Sequence, residues 1–439
     1  MTTDGQDVTD EGAIERVFRE EFGRIVATLT RRLGRLDLAE DMAQEAFAEA
    51  LRRWPAEDLP PNPGAWLTVT ARHRAIDRIR REAVGAQRQE EAHVLHGATP
   101  RDPADDAVER VEEPDGILSR LTAGGSSASA SAMTDEHLRL FFTCAHPALS
   151  PETQAALTLR LLGGLSVAEV AGAFFVPERT MAQRITRAKR KIRDANIPFR
   201  VPRDHELPGR LHAVLTTIYL IFNEGYLPSS GDAAIRTDLC HEAIRIARVL
   251  RSLMPDEPEV AGLLALLLLT EARRPARVAD GVLVTLDEQD RSLWDRELIA
   301  EGHALVRECL RRNRPGHHQL LAAVNAVHTD AARASETDWT QVLALYDQLV
   351  VVTPTPVARL NRAVALAEVR GPAAGLAEVD ALDLTGYHPF HATRADFLRR
   401  LGRTDEARAE YDLALASATN PAEAALLRAR RAGLSAPPG

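Results

Sequence analysis

The sequence predicts an all-α protein, and two features of its 439 residues support this class. Aromatic residues make up only 5% of the chain, and no alternating run of apolar and polar residues bounded by turns suggests a strand. Apolar residues instead recur at spacings of three and four, as in amphipathic helices. A chain of this length is expected to contain two to four domains.

Composition excludes several classes of protein. The three cysteines, Cys144, Cys240 and Cys309, lie far apart, which argues against a disulfide framework and fits a cytoplasmic protein. The longest apolar run, residues 260–269, is about half of the ~18 residues that a membrane span needs. No apolar segment near residue 1 resembles a secretory signal. We therefore expect no contact with a membrane.

The first predicted domain is helical and covers residues 14–81. Its stretch "DLAEDMAQEAFAEALRRW" has a predicted core stripe of large apolar residues, Leu38, Met42, Phe47, Leu51 and Trp54. Three polar residues share the opposite, exposed patch: Asp41, Gln44 and Glu45. On its own this patch is typical of a solvated helix face.

A basic helix follows in the same domain, in "PGAWLTVTARHRAIDRIRRE". Its predicted inward face consists of Val69, His73, Ile76 and Ile79. The arginines lie on other faces: Arg72, Arg74, Arg78, Arg80 and Arg81. We interpret His73 as a partly buried, hydrogen-bonded residue of the core rather than as a ligand or catalyst.

Residues 82–132 are predicted to form a flexible acidic linker. They contain ten acidic and four basic side chains, and end in "TAGGSSASASA". A segment so rich in Pro, Asp, Gly and Ser cannot bury enough apolar surface to fold by itself.

Residues 133–200 are predicted to form a helix-turn-helix domain. Ser166 and Glu169 have the spacing of a capping box, and Val176-Pro177 separates that helix from the next. The next helix, in "VPERTMAQRITRAKRKIRD", has one apolar stripe made of Met181, Ile185, Ala188 and Ile192. The preceding helix, in "SPETQAALTLRLLGG", supplies the third member of the domain.

The last helix of this domain holds seven Lys and Arg residues within fifteen positions, although the whole chain has a net charge of −9. In a helix-turn-helix the N-terminal residues of the second helix contact base edges, and a basic cluster suits phosphates. The candidate DNA contacts are Arg179, Thr180, Gln183, Arg184, Arg187, Lys189, Arg190 and Lys191. A solvated basic face that complements the helix dipole is the alternative.

The remaining chain is predicted to form a helical bundle over 205–312 and about three degenerate repeats over 317–430. Tyr346, Val379 and Tyr411 lie 33 and 32 residues apart, near the 34-residue period of tetratricopeptide repeats. Such an α-solenoid usually binds partners on its concave face. A structural module that only shields the rest of the protein is the alternative.

Three stretches in this order carry a family resemblance: "DMAQEAFAEALRRW", "AWLTVTARHRAIDRIRR" and the segment from "LSPETQAALTLRLLGG" to "ITRAKRKI". Together they resemble the extracytoplasmic-function (group IV) sigma factors of bacterial RNA polymerase, members of the sigma-70 family. The match covers sigma region two over 14–81 and region four over 135–195, under a third of the chain. The rest resembles a fused helical extension similar to tetratricopeptide repeats.

The resemblance implies a role for each surface. Asp41, Gln44 and Glu45 would dock on the clamp helices of the largest polymerase subunit, and the beta subunit is a further expected partner. The helix with Arg72, Arg74, Asp77, Arg78, Arg80 and Arg81 would bind and melt the minus-ten element. The helix from Pro177 would read the minus-thirty-five element in double-stranded promoter DNA. His73 and Ala182-Gln183 depart from residues common in the family, so the promoter sequence cannot be copied from it.

The predicted function is therefore that of a promoter-specificity subunit, not an enzyme, with no cofactor and no metal. The extension is expected to regulate activity in cis, through contact with the sigma domains or through a separate protein partner. A helix-turn-helix regulator without a polymerase role is the alternative, but it leaves the first domain unexplained. Neither Cys144 with His137 and His146 nor Cys240 with His241 and His212 has the paired spacing of a metal site.

Overall fold

A computed structural model describes residues 4–57, 59–95, 130–174, 176–227, 236–279, 281–418 and 420–434. Apart from one two-stranded ribbon and three short 3₁₀ segments, the regular structure of these ranges is α-helical, so the predicted all-α class is confirmed. The chain divides into two compact units, Met1–Thr217 and Ile218–Gly439.

The first unit begins with three helices, α1 (Asp4–Leu33), α2 (Leu36–Glu57) and α3 (Pro63–Leu95). The rings of Phe18, Phe22 and Phe47 pack together between α1 and α2, with centroids 4.6–6.0 Å apart. Trp54 and Trp66 form an edge-on pair between α2 and α3. Because α3 continues to Leu95, residues 82–95 of the predicted linker are helical, whereas residues 96–129 lie outside the described residues.

The inward face of α3 differs from the predicted one. His73 and Val69 are exposed, so the predicted burial of His73 is wrong. The buried positions are Leu67, Ala71, Ala75 and Ile79, which follow one another at spacings of four. Small alanines allow close helix packing but contribute little to an apolar pattern, so the pattern favoured the larger side chains. The predicted burial of Leu51 is wrong as well, because Leu51 is 54% exposed.

Four further helices follow in the first unit: α4 (Ala130–Cys144), α5 (Pro151–Leu161), α6 (Val167–Ala173) and α7 (Glu178–Asp194). The predicted capping box is present, because Ser166 Oγ accepts from the Glu169 amide and Glu169 accepts from the Ser166 amide. The predicted apolar stripe of α7 is buried at all four positions. The helix-turn-helix prediction thus agrees with the structure.

The second unit starts within α8 (Leu207–Tyr226) and continues with α9 (Thr237–Leu253), α10 (Pro258–Glu271) and α11 (Arg296–Arg312). A short antiparallel ribbon, β1 (Val278–Ala279) and β2 (Val282–Leu283), separates α10 from α11. The long apolar run is explained by α10, which is buried on nearly all sides. Gly262 and Gly302 allow close contact there, since a Cβ on Gly262 would lie 2.7 Å from the Gln319 amide.

Seven helices follow: α12 (His317–Asp330), α13 (Trp339–Val352), α14 (Pro356–Arg370), α15 (Pro372–Asp380), α16 (His388–Arg400), α17 (Thr404–Ser417) and α18 (Pro421–Gly433). Ala395, Ala407, Tyr411 and Ala414 are almost fully buried where α16 and α17 pack together. Gly402, at φ +73°, supplies the left-handed turn between these helices. Small residues at helix contacts support the predicted repeats, and the tetratricopeptide assignment itself stays a prediction.

None of the helices in the described ranges is both long enough and apolar enough to span a bilayer.

Candidate polymerase and promoter interfaces

The predicted acidic patch lies on the surface of α2. Asp41 and Gln44 are exposed and Glu45 is half-buried. Burial raises the pKa of Asp41, and the neighbouring carboxylates of Glu40 and Asp37 add to this shift, while Lys189 opposes it. Asp41 therefore lies beside two further carboxylates of α2, and a cationic partner would favour its charged form.

A buried carboxylate lies beside this patch. Glu40 is 1% exposed, and its Oε1 accepts hydrogen bonds from Arg160 Nε at 2.7 Å and Gln44 Nε2 at 2.9 Å. Its other oxygen forms an ion pair with the ammonium group of Lys189. We call these four residues the Glu40 cluster. It joins α2 of the first helical domain to α5 and α7 of the helix-turn-helix domain.

Arg160 connects this cluster to the aromatic core. It is 4% exposed, its Nη1 donates to the Leu165 carbonyl oxygen at 2.6 Å, and its guanidinium lies 5.2 Å from the centroid of the Phe22 ring. The buried guanidinium of Arg160 therefore contacts Glu40 and Phe22 of the first domain and the loop that contains Leu165. Removing Glu40 would leave the guanidinium without its carboxylate.

Close packing extends the contact between the two helical domains along α1. Arg31 Nη1 donates to Glu136 Oε1 at 2.7 Å, and the Glu136 side chain is almost fully buried. A Cβ on Gly23 would lie 2.9 Å from the Leu161 carbonyl oxygen, so only glycine permits this approach. The two domains form one continuous interface in this arrangement, which the sequence analysis did not predict.

The basic residues predicted to contact DNA on α7 differ in their surroundings. Lys189 is largely withdrawn from solvent by its ion pair with Glu40, and Arg193 lies 3.8 Å from Asp37. Arg184 is half-buried and lies 3.6 Å from Glu152, and Thr180 is also half-buried. The other predicted contacts are exposed: Arg179, Gln183, Arg187, Arg190 and Lys191. A basic surface is thus available, although part of it faces α2.

The predicted minus-ten surface on α3 is largely accessible. Asp77, Arg80 and Arg81 are exposed. Arg78 is also exposed and donates to Glu82 at 2.8 Å. The half-buried Arg74 donates to Glu49 of α2 at 3.0 Å, and Arg72 is half-buried as well. The outer half of the helix therefore carries the charge that could contact phosphates.

Sequence reasoning missed Glu40 and Arg160. Each is a charged residue within a run of buried positions: Glu40 follows Leu38-Ala39, and Arg160 lies between Leu159 and Leu161. A charged residue at a buried position usually has a buried partner, which was the available signal. Their mutual contact spans 120 positions, so no local pattern could pair them.

The cysteines are buried, and burial raises the pKa of each thiol, that of Cys309 to about 11. They are therefore protonated at neutral pH and are poor metal ligands. Within the described ranges, no group of three or more His, Cys, Asp or Glu side chains could hold a metal ion.

Three family matches cover successive parts of the chain. Residues 17–84 match sigma-70 region 2, residues 142–192 match sigma-70 region 4, and residues 210–310 match a family of unknown function, DUF6596. An uncharacterized protein of Rhizobium meliloti (strain 1021) is 42% identical over 98% of this chain and 98% of its own length. The ECF RNA polymerase sigma factor SigK of Mycobacterium bovis (strain BCG / Pasteur 1173P2) is 27% identical over 42% of this chain and 83% of its own length.

The chain belongs to the extracytoplasmic-function sigma factors. It is a promoter-specificity subunit that acts with core RNA polymerase on promoter DNA, and it carries a helical C-terminal extension. Members of this family are transcription initiation factors and not enzymes.

The probable ECF RNA polymerase sigma factor SigI of Mycobacterium tuberculosis (strain CDC 1551 / Oshkosh) is 26% identical over 45% of this sigma factor and 60% of its own length. No solved structure matches the chain. The match to region two argues against the alternative of a DNA-binding regulator that has no polymerase role.

The Glu40 cluster makes a testable prediction about stability. Glu40→Ala should lower the free energy of unfolding of the first unit by about 3–5 kcal/mol, because it leaves the buried Arg160 charge without a partner. Urea unfolding of the full chain measures the change in the free energy of unfolding. Hydrogen exchange of the backbone amides of α2 and α5 shows whether the change lies in the first unit rather than in the second.

Glu20→Ala is the matched control, since Glu20 is an exposed acid of α1 and its loss should cost at most about 0.5 kcal/mol. Equal protection of α2 and α5 in the two variants would contradict a stabilising role for the cluster.

Proposed function

We propose that the acidic patch of α2, consisting of Asp41, Gln44 and Glu45, binds the clamp helices of the largest polymerase subunit. Asp41 and Gln44 are exposed, and other carboxylates of α2 lie beside Asp41. These features support the role, since a basic partner surface would complement them. The beta subunit of the polymerase is the further partner we assign to the sigma domains. This activity would take place in the cytoplasm, where bacterial RNA polymerase acts.

The two promoter elements are assigned to separate helices. The arginines of α3, with Asp77, would contact and melt the minus-ten element, and α7 would enter the major groove at the minus-thirty-five element. Arg184, in the first half of α7, would contact bases. Lys191, exposed near the end of the same helix, suits a phosphate contact.

The observation that carries our proposal is the ion pair between Lys189 and Glu40, which holds the helix assigned to the minus-thirty-five element against the helix assigned to the polymerase. The two promoter elements lie about two to three turns of DNA apart, roughly 34 Å for each turn. Two domains in direct contact cannot reach both elements. We therefore infer that the described arrangement is closed and must open during initiation.

Polymerase binding would supply the energy for opening. The basic clamp would compete with Lys189 and Arg160 for the acidic face of α2, and would release the helix-turn-helix domain as it binds. A partner shifts such an equilibrium only by its differential affinity for the two states. The closed state must therefore be favoured by no more than a few kcal/mol over the open one.

The C-terminal extension is proposed to regulate initiation in cis. Its covalent attachment gives it a high effective concentration near the sigma domains, and its helical repeats offer a large binding face. Contact with one or both sigma domains, or recruitment of a separate protein partner by the repeats, would set which arrangement the sigma domains adopt.

The polymerase assignment predicts a large effect of charge reversal. Asp41→Lys combined with Glu45→Lys should weaken binding to core polymerase at least tenfold, a change of about 1.4 kcal/mol or more in binding free energy. Surface plasmon resonance with immobilised core polymerase would measure the affinity. Circular dichroism would show that the helices remain folded.

A control with the same change in net charge is Glu20→Lys combined with Asp405→Lys, both at exposed positions outside the patch. Loss of affinity in the control as well would mean that net charge, and not the patch, determines binding. Wild-type affinity in the patch variant would refute the assignment.

The promoter assignment predicts two distinct phenotypes on α7. Arg184→Ala should reduce binding mainly at the cognate upstream element, because a bidentate base contact carries roughly 1–3 kcal/mol of discrimination. Lys191→Ala should weaken all DNA sequences alike and reduce the salt slope by about one unit. Titration of holoenzyme on cognate and mutated elements at several salt concentrations distinguishes the two. Identical profiles would show that the register of the reading helix is wrong.

The regulatory proposal predicts that the extension is needed for full activity. A chain ending at residue 227 keeps the whole first unit and α8, and should support severalfold less promoter-dependent transcription than the full chain. Transcription would be measured over a range of core polymerase concentrations, with circular dichroism as the folding control. Equal output at every concentration would show that the extension is passive.

A further inference from the structure

We propose that a cavity within the second unit binds a small organic anion with an apolar body. The cavity has a volume of about 850 Å³, which lies within the roughly 300–1,000 Å³ of small-molecule sites. It is lined by α12, α13, α14, α16, α17, α18 and the segment between β2 and α11. Its apolar wall includes Trp339, Tyr346, Phe397 and Tyr411. This site goes beyond the proposed sigma function, and its binding test does not depend on that function.

A buried cation without a carboxylate partner lines this cavity. Arg291 is 8% exposed, and its Nη1 donates to the carbonyl oxygens of His328 and Ala331 at 2.7 and 2.6 Å. Its guanidinium lies 4.6 Å from the centroid of the Trp294 ring, and the charge of Glu336 acts on it without an ion pair between the two in the described ranges. Its buried Nε has no hydrogen-bond partner. An unpaired buried charge is unfavourable, so an anion in the cavity would stabilise it.

A buried hydroxyl points to the same kind of ligand. Tyr411 is 1% exposed and lines the cavity. The Arg399 guanidinium, which can only donate, lies beside its Oη, and the described residues supply no acceptor for its O–H. Burial raises the pKa of this phenol, so the hydroxyl is protonated at neutral pH and can donate a hydrogen bond. Because buried polar groups in folded proteins are almost always hydrogen-bonded, an acceptor on a ligand would complete this one.

A third donor is held only by weak contacts at the edge of the cavity. Arg430 of α18 lies 3.3 Å from Thr285 Oγ1, 3.4 Å from Glu288 Oε1 and 3.5 Å from Asp396 Oδ1. Charge-assisted hydrogen bonds of good geometry are about 2.7–2.9 Å long. This guanidinium therefore retains the capacity to bind an anion more closely than its present partners do.

The charges that line the cavity favour an anion over a cation. Burial lowers the pKa of His328 to about 4, with a further contribution from Arg273 and Arg291, so this histidine is neutral. The charged side chains are four arginines and three carboxylates: Arg291, Arg399, Arg400, Arg430, Asp287, Glu368 and Asp396. One excess positive charge within apolar and aromatic walls fits a monoanion with a hydrophobic body, such as an organic carboxylate.

The test uses the full chain and two carboxylates, 1-naphthoate and decanoate, each compared with its neutral alcohol, 1-naphthalenemethanol or decanol. Isothermal titration calorimetry should show saturable one-to-one binding of at least one acid, and at least tenfold weaker binding of its alcohol. Arg291→Met should weaken binding of the acid at least tenfold and leave binding of the alcohol unchanged. Tyr411→Phe, which removes only the hydroxyl, should weaken binding of the acid severalfold.

Arg408→Gln is the control. Arg408 is paired with Asp405 outside the cavity, so this variant should bind the acid as the wild-type protein does. Arg430→Gln is a second test variant, for use if thermal melting shows that Arg291→Met is unstable. Arg430→Gln should also weaken binding of the acid. The proposal would be overturned by equal affinity for acid and alcohol, by wild-type affinity in Arg430→Gln, or by no saturable binding of either acid up to about 1 mM.

Discussion

The first unit depends on one buried carboxylate, that of Glu40. It lies at the point where three helices from two sequence-distant domains meet, and it is the shared partner of Arg160, Lys189 and Gln44. A buried charge is costly unless it is fully paired, so the three partners are held in place by the same requirement. The positions of α5 and α7 against α2 follow from this requirement together with the close approach at Gly23.

The same cluster connects structure to function. A sigma factor must use one surface for the polymerase and others for two separated promoter elements, and all of them must be available at once in the initiation complex. In the described arrangement Glu40, on the helix that we propose binds the polymerase, pairs with Lys189 on the helix that we propose binds DNA. A charged contact suits such a switch, because a competing basic surface can replace Lys189 without unfolding either domain.

The extension combines close helix packing with a cavity that holds incompletely paired polar groups. Its apolar helix α10 is surrounded by other helices, and glycines at 262 and 302 allow them to approach closely. The later helices pack through small residues and leave a cavity in which Arg291 and Tyr411 are buried without full partners. Unsatisfied groups of this kind are rare in protein interiors, and they concentrate where a ligand or a partner supplies what the fold does not.

The sequence by itself determined the helical class, the capping box at Ser166, the apolar stripe of α7 and the family, because each depends on local spacing or on an ordered set of local motifs. It did not determine which face of α3 is buried. There Ala71 and Ala75 replaced the expected Val69 and His73, because close packing rewards small side chains that an apolar pattern hardly registers. Only the tertiary structure decided that Glu40 pairs with Arg160 and that Arg291 lines a cavity, since such contacts join residues distant in the chain and their energies depend on burial.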